Sequence, residues 1–266
     1  IPAQNLPRAI LRYDYGNWFD GNFKPITKDE AVDLLRSANE DVVGKPAIDS
    51  CGGDGVLCFR KVGDSFVHKD CKLDLDWIEN NYDAYVIQEK LAQNKETAAF
   101  NPDSINTCRM MTFRRPWSGK TSLIAAMHRF GCGGEVVDNL AAGGVCVDVD
   151  MNGVLGKEAI SHEIGLVTEH PRTKKKFEGF CLPHFDRMKA VVEDVASRYV
   201  GCNLLSFDVI AKEDGTPCII EVNTMTQGIE QLQMRRPLFG DETEMVVDWC
   251  LKHKSRAKYN PLSFSR

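Results

Sequence analysis

Asp208, Glu221 and Asn223 are the residues whose types and spacing point most directly to chemistry. All three fall in SFDVIAKEDGTPCIIEVNT, Ser206 to Thr224. Two carboxylates and a side-chain amide offer hard oxygen ligands, and such ligands suit Mg²⁺, which also keeps sites for waters and nucleotide phosphates. That chemistry requires the three side chains to meet on one surface, which is a demand on the backbone that carries them.

The flanks, Leu204 to Ala211 and Pro217 to Val222, are short, apolar and rich in Val and Ile, with the turn-forming Glu213-Asp214-Gly215-Thr216 between them. This predicts a β-hairpin. If Lys212 and Pro217 close a loop of about four residues, Asp208 falls opposite Glu221, with side chains about 5 Å apart on one face. The strand period of two returns Asn223 to that face. Facing carboxylates repel and resist desolvation unless a cation lies between them. A solvated face with Asn223 ending the strand accounts for the same pattern.

Other segments carry candidates for the same chemistry. VGKPAIDSCGGDGV reads as strand then glycine loop: Lys45 supplies a point charge, and Gly52, Gly53 and Gly55 let backbone amides approach phosphate oxygens. A strand follows where a P-loop would have a helix, and no G-K-[ST] is present, so a plain glycine hairpin with a surface lysine is the competing account. DAYVIQEKL is a strand that turns polar at Gln88-Glu89, either an amphipathic strand end or an edge for an adenine ring. NTCRMMTFRR and TSLIAAMHRF place Arg109 and Arg129 among apolar neighbours. Each needs a buried anion or a route to solvent, so they hold a substrate carboxylate or phosphates, or they snorkel. Gly131 to Gly144, with five glycines around Asp138-Asn139, is a loop built for close backbone approach.

Around these, Thr27 to Glu30 has capping-box spacing ahead of Ala31, Leu34, Leu35 and Ala38, which predicts a helix from about Lys28 to Ala38. His184 to Tyr199 and Glu242 to Lys254 are further amphipathic helices, and Asn152-Gly153 marks a hairpin turn. Ile1 to Pro25 is expected to be irregular and packed through Trp18, Phe19 and Phe23. The chain opens Ile1-Pro2 without Met, so the expectation is of a piece with something upstream. A net charge of −5 argues against a nucleic-acid partner. No apolar run approaches a membrane span, and a cytoplasmic protein is expected. Ten scattered cysteines without a C-x-x-C pair read as reduced core residues.

Taken in order, VGKPAIDSCGGDGV, VIQEKL, NTCRMMTFRR, MHRFGCGGEVVDNLAAGGV and SFDVIAKEDGTPCIIEVNT resemble the ATP-grasp superfamily, closest to its sugar-transfer-associated branch, over roughly Thr27 to Gln233. The resemblance implies an α+β ATP-grasp fold, two α/β subdomains clamping a nucleotide between mainly antiparallel sheets. Residues 1–26 would form an N-terminal extension, 27–91 the small subdomain and 92–266 the large one with the metal site. It implies ATP with Mg²⁺, or Mn²⁺ as an alternative, held by Asp208, Glu221 and Asn223. Lys45, Gly52, Gly53 and Gly55 would hold phosphates, Gln88, Glu89 and Leu91 would line the adenine, and Asn139 and Ile220 join the nucleotide site. Arg109 and Arg129 would stabilise the transfer. The implied activity is ATP-dependent carboxylate–amine ligation through an acyl-phosphate, on small-molecule carboxylate and amine substrates, sugar-linked, in cell-surface polysaccharide biosynthesis. A kinase of the same fold and a nucleotide-binding module without turnover are the alternatives. The chain departs from the pattern where an arginine often sits two residues before the metal aspartate, because that position is Ser206. The acidic ribose ligand has no clear match, with Asn94 and Glu96 both available.

Overall fold

The structure is a computed structural model that describes residues 1–47, 55–69, 71–133, 138, 140, 143–225, 228–233 and 236–253. Ile1 to Pro25 is not irregular, as the sequence had suggested. It builds β1 (Ala9–Asp14), β2 (Asn17–Asp20) and the start of β3 (Pro25–Ile26). The physical reason is a two-residue turn: Tyr15 (φ 42°) and Gly16 (φ 87°) both take the left-handed conformation that matches strand twist in tight hairpins. Leu11, Tyr13 and Trp18 are then buried, with the Tyr13 and Trp18 rings 4.9 Å apart.

These strands join an eight-stranded antiparallel sheet. After α1 (Lys28–Ser37) come β4 (Val42–Pro46), β5 (Leu57–Val62), β6 (Ser65–His68), β7 (Cys71–Lys72), α2 (Leu75–Asn81) and β8 (Ala84–Glu89). The spatial order is β3-β2-β1-β8-β4-β5-β6-β7. Helix α1 starts where the capping box predicts, with Thr27 Oγ1 accepting from the Glu30 amide and the Glu30 carboxylate accepting from the Thr27 amide. Its Ala31 and Leu35, one turn apart, meet Leu11, Val42, Phe59, Ile78 and Ile87 in one core.

A short helix α3 (Lys95–Ala98) leads to a second, seven-stranded antiparallel sheet, ordered β13-β12-β11-β10-β9-β14-β15. Its strands are β9 (Cys108–Arg114), β10 (Thr121–Phe130), β11 (Val145–Val149), β12 (Leu155–Ser161), β13 (Gly165–Val167), β14 (Leu204–Ala211) and β15 (Pro217–Asn223). Gly153 turns the β11–β12 hairpin at φ 85°, and Asp150 Oδ1 accepts from the amides of Asn152 and Val154. Helix α4 (Phe185–Arg198) lays Phe185, Met188, Val192 and Val195, a helical stripe, against Met110, Phe130, Val147 and Phe207 on one face of this sheet. With that face filled, strand alternation sends Arg109, Arg129, Asp208 and Glu221 to the other.

Residues 1–227 form one compact unit and 228–266 a second. The second contains α5 (Thr243–His253), none of whose residues is buried. Among the described residues no helix is long and apolar enough to cross a membrane, and the nine cysteines described are free thiols.

Candidate nucleotide and metal site

The β14–β15 hairpin pairs Asp208 directly with Glu221, as the sequence predicts, but by a different backbone route. Lys212 N donates to Thr216 O at 2.9 Å, so the loop holds three residues, with Gly215 at φ 78°. From that turn the pairs run Ala211 with Pro217 and Val209 with Ile219. A register shift between Val209 and Asp208 then leaves Ile220 as an extra residue on β15, and beyond it Asp208, Phe207 and Ser206 face Glu221, Val222 and Asn223. The shorter loop and the bulge cancel. Because a bulged residue leaves the ladder, its carbonyl is available, and Lys45 Nζ, from β4 of the first sheet, donates to Ile220 O at 3.3 Å.

Asp208 is buried and does not face Glu221 as a bare charge. Arg109, opposite it on β9, grips it with a two-pronged fork, Nε to Oδ1 and Nη2 to Oδ2, both 2.8 Å. Arg129 Nη2 adds a bond to Oδ2 at 2.7 Å. Arg129 is itself held by Thr107, whose Oγ1 accepts from Nη2 at 2.6 Å and donates to Asp138 Oδ2 at 2.6 Å. Asp138 Oδ1 lies 3.7 Å from Arg129 Nε. The buried anion that the two arginines require is therefore Asp208, supported for Arg129 by Asp138. Thr107 and Asp138 carry no sequence signal for this role, since the contacts join segments 22 to 99 residues apart.

Three cations (Lys45, Arg109, Arg129) thus face three carboxylates (Asp138, Asp208, Glu221). Burial opposes the Asp208 charge, but Arg129 and Arg109 outweigh it and hold the carboxyl below its usual value. At Glu221 burial and then the Asp208 charge push the carboxyl up. Burial also lowers the Lys45 ammonium. Glu221 is partly desolvated by its neighbours yet still reaches solvent and, among the described residues, has no ion-pair or hydrogen-bond partner.

The donor set fits a hard divalent cation. Glu221 is uncommitted, Asp208 Oδ1 accepts a single bond and keeps a lone pair, and Asn223 shares their face with its Nδ2 buried and unpartnered. No cluster of three His, Cys, Asp or Glu groups suited to a metal occurs among the described residues; the set here offers two carboxylates and the side-chain amide of Asn223.

The remaining expectations fall in several places. Gly55 stands at φ 73°, where a Cβ would lie 2.7 Å from the Pro46 ring, so that turn requires glycine. Gly52, Gly53 and Asn139 lie outside the described residues. Gln88 is buried in β8 between Ala9 and Val43, Glu89 forms an ion pair with Arg8, and Leu91 is half-buried beyond the strand end. A cleft of about 450 Å³ includes Glu89 together with Arg8, Asp20, Gly21 and Glu40, but none of Lys45, Asp208, Glu221 or Asn223. Cys132 approaches His170 at 3.6 Å, yet His170 Nδ1 accepts from the amides of Arg172 and Thr173, which puts the proton on Nε2, pointed at Gly131 O. With its thiol pushed up to about 11 by burial, Cys132 is no activated nucleophile.

A family model described as sugar-transfer associated ATP-grasp matches residues 5–243. The chain belongs to this ATP-grasp family. No protein of curated function matches it in sequence. In fold the ATP-grasp chain is similar to D-alanyl-alanine synthetase A from Vibrio cholerae O1 biovar eltor, at 10% identity and TM-score 0.50, over 96% of this chain and 62% of that one. The D-cycloserine synthetase DcsG matches at 14% identity and TM-score 0.46, over 95% of this chain and 66% of its own. The ATP-grasp ligase PsnB, solved with minimal precursor, Mg and ADP, matches at 14% identity and TM-score 0.45, over 95% of this chain and 54% of its own. The ATP-grasp chain thus spans little more than half the length of PsnB and under two thirds of the synthetase. At these identities the likeness is one of fold.

Proposed function

We propose that this chain is the Mg-ATP-binding part of a ligase that phosphorylates a carboxylate for attack by an amine, on sugar-linked substrates of cell-surface polysaccharide synthesis. The observation that carries the reading is the pairing of Asp208 with Glu221, with Asn223 on the same face. In this reading those three hold Mg²⁺, which when bound neutralises charge on the β- and γ-phosphates. Lys45, half-buried and held by the Ile220 carbonyl, adds a point charge for the phosphates, and Gly52, Gly53 and Gly55 supply backbone amides in this reading. Gln88, Glu89 and Leu91, with Asn139 and Ile220, complete the nucleotide site. Arg109 spends Nε and Nη2 on Asp208 and keeps Nη1 for an incoming carboxylate or phosphoryl oxygen. Arg129, locked between Thr107, Asp138 and Asp208, fixes the position of the aspartate and stabilises charge nearby.

The grip of two arginines on Asp208 favours one other reading, a nucleotide-binding module without turnover. Two measurements separate them. Mg-ATP at a hundredfold excess over Kd should stabilise the fold by about 2.7 kcal/mol; absence of any thermal shift contradicts nucleotide binding altogether. Incubation with Mg-ATP, uronic acids and hydroxylamine should then release ADP, inorganic phosphate and a hydroxamate. ADP with a stable phosphorylated product indicates a kinase, and binding without ADP indicates the inactive module.

A further inference from the structure

Ser206 is a polar residue on the charged sheet face that takes no part in the network around Asp208. It is fully buried, and its Oγ has no hydrogen-bond partner. Asn223, its direct cross-strand partner, also has Nδ2 buried without a partner. A buried polar group left unpaired is destabilising, so two facing each other are an arrangement that ordinary packing would remove. On its other side Ser206 faces Met111, which is buried and offers only a thioether. The next residue along the same face, Asp208, is committed to Arg109 and Arg129. Cross-strand partners have Cβ atoms about 4.5–5.5 Å apart, so the Asn223 amide lies within reach of the Ser206 hydroxyl.

We infer that Ser206 is a positioning residue for the metal site: when the site is loaded, its Oγ accepts a hydrogen bond from Asn223 Nδ2, which turns Asn223 Oδ1 toward the cation. The reason is the asymmetry of the side-chain amide. Its oxygen and nitrogen ends are nearly the same size, but only the oxygen can ligate a cation. Asp208 and Glu221 need no such selection, because either oxygen of a carboxylate can ligate a cation. A single acceptor at the nitrogen end is sufficient to select the ligating orientation, as the outer partners of metal ligands do elsewhere.

This inference rests on the Mg²⁺ site proposed above, and a double-mutant cycle keeps the two separate. Calorimetric titration of Mg²⁺ into protein saturated with ATP, with parallel thermal melts of the apo proteins, reads both. If the unmodified chain shows no metal-dependent change in ATP binding, the Mg²⁺ site itself is wrong. If it does, Ser206→Ala should weaken Mg²⁺ about 10-fold, the lower end of what losing an outer partner costs. Metal-free ATP binding should not change, and the apo midpoint should stay the same or rise, since an orphaned hydroxyl has been removed. In an Asn223→Asp background, where either carboxylate oxygen can ligate, Ser206→Ala should make no further difference to Mg²⁺. Unchanged Mg²⁺ affinity in Ser206→Ala, or an equal loss in the Asn223→Asp background, overturns the inference while leaving the metal site standing.

Discussion

The two faces of the seven-stranded sheet are made by the same strands and obey opposite rules. On one, Met110, Phe130, Val147, Leu205 and Phe207 pack beneath α4 with every side chain buried. On the other, one residue along each strand, Arg109, Arg129, Asp208 and Glu221 form a charge network that is satisfied in part and open in part. A slip of one residue would exchange the two sets. The apolar face therefore fixes the register, and the charged face inherits positions that its own repulsions would not choose. The Ile220 bulge is where the two requirements are reconciled: it keeps Val209 and Ile219 paired in the core while setting Glu221 opposite Asp208.

If this division is right, each face should fail in its own way when altered. Phe207→Ala leaves a cavity in the apolar face and should cost about 3–5 kcal/mol in denaturant unfolding. Arg129→Leu should cost a similar 3–5 kcal/mol, for a different reason: it strands Asp208 and Asp138 as buried charges with less compensation. A loss near zero for Arg129→Leu would erase the contrast, because it would make the network decorative. Thr107→Val removes the hydroxyl that joins Arg129 to Asp138 and should cost about 1–3 kcal/mol. Lys45→Met sharpens the comparison from the other side. Burial already disfavours the ammonium, so losing it together with its bond to Ile220 O should change apo stability by about 1 kcal/mol or less, while ATP affinity measured by calorimetry falls. Unchanged affinity would remove Lys45 from the site.

How much of this was legible in the sequence depends on whether the signal is local. The Asp208–Glu221 facing pair was, because hairpin pairing is set within twenty residues, although it arises from a three-residue loop plus a bulge and not from a four-residue loop. The capping box at Thr27 and the stripe of α4 were legible for the same reason. The N-terminal hairpin was missed because its turn is Tyr15-Gly16, without the Asn-Gly or Asp-Gly signature. The partners of Arg109 and Arg129 were not legible at all. That the arginines needed an anion follows from their apolar neighbours, but which anion depends on β9 lying between β10 and β14, a non-local fact. Ser206 looked like a missing arginine in the sequence, whereas its burial and its pairing with Asn223 emerge only from the sheet.

Glu221 tests the central claim most directly, because it is the uncommitted carboxylate of the charged face. Glu221→Gln preserves shape and removes one charge, and the apo thermal midpoint and Mg-ATP affinity should be measured together on the same preparation. Since burial and Asp208 already push the Glu221 carboxyl up, the account predicts an apo midpoint that is unchanged or slightly higher, with Mg²⁺-dependent ATP binding at least about 10-fold weaker. A destabilised apo protein that binds Mg-ATP as tightly as the unmodified chain would contradict it.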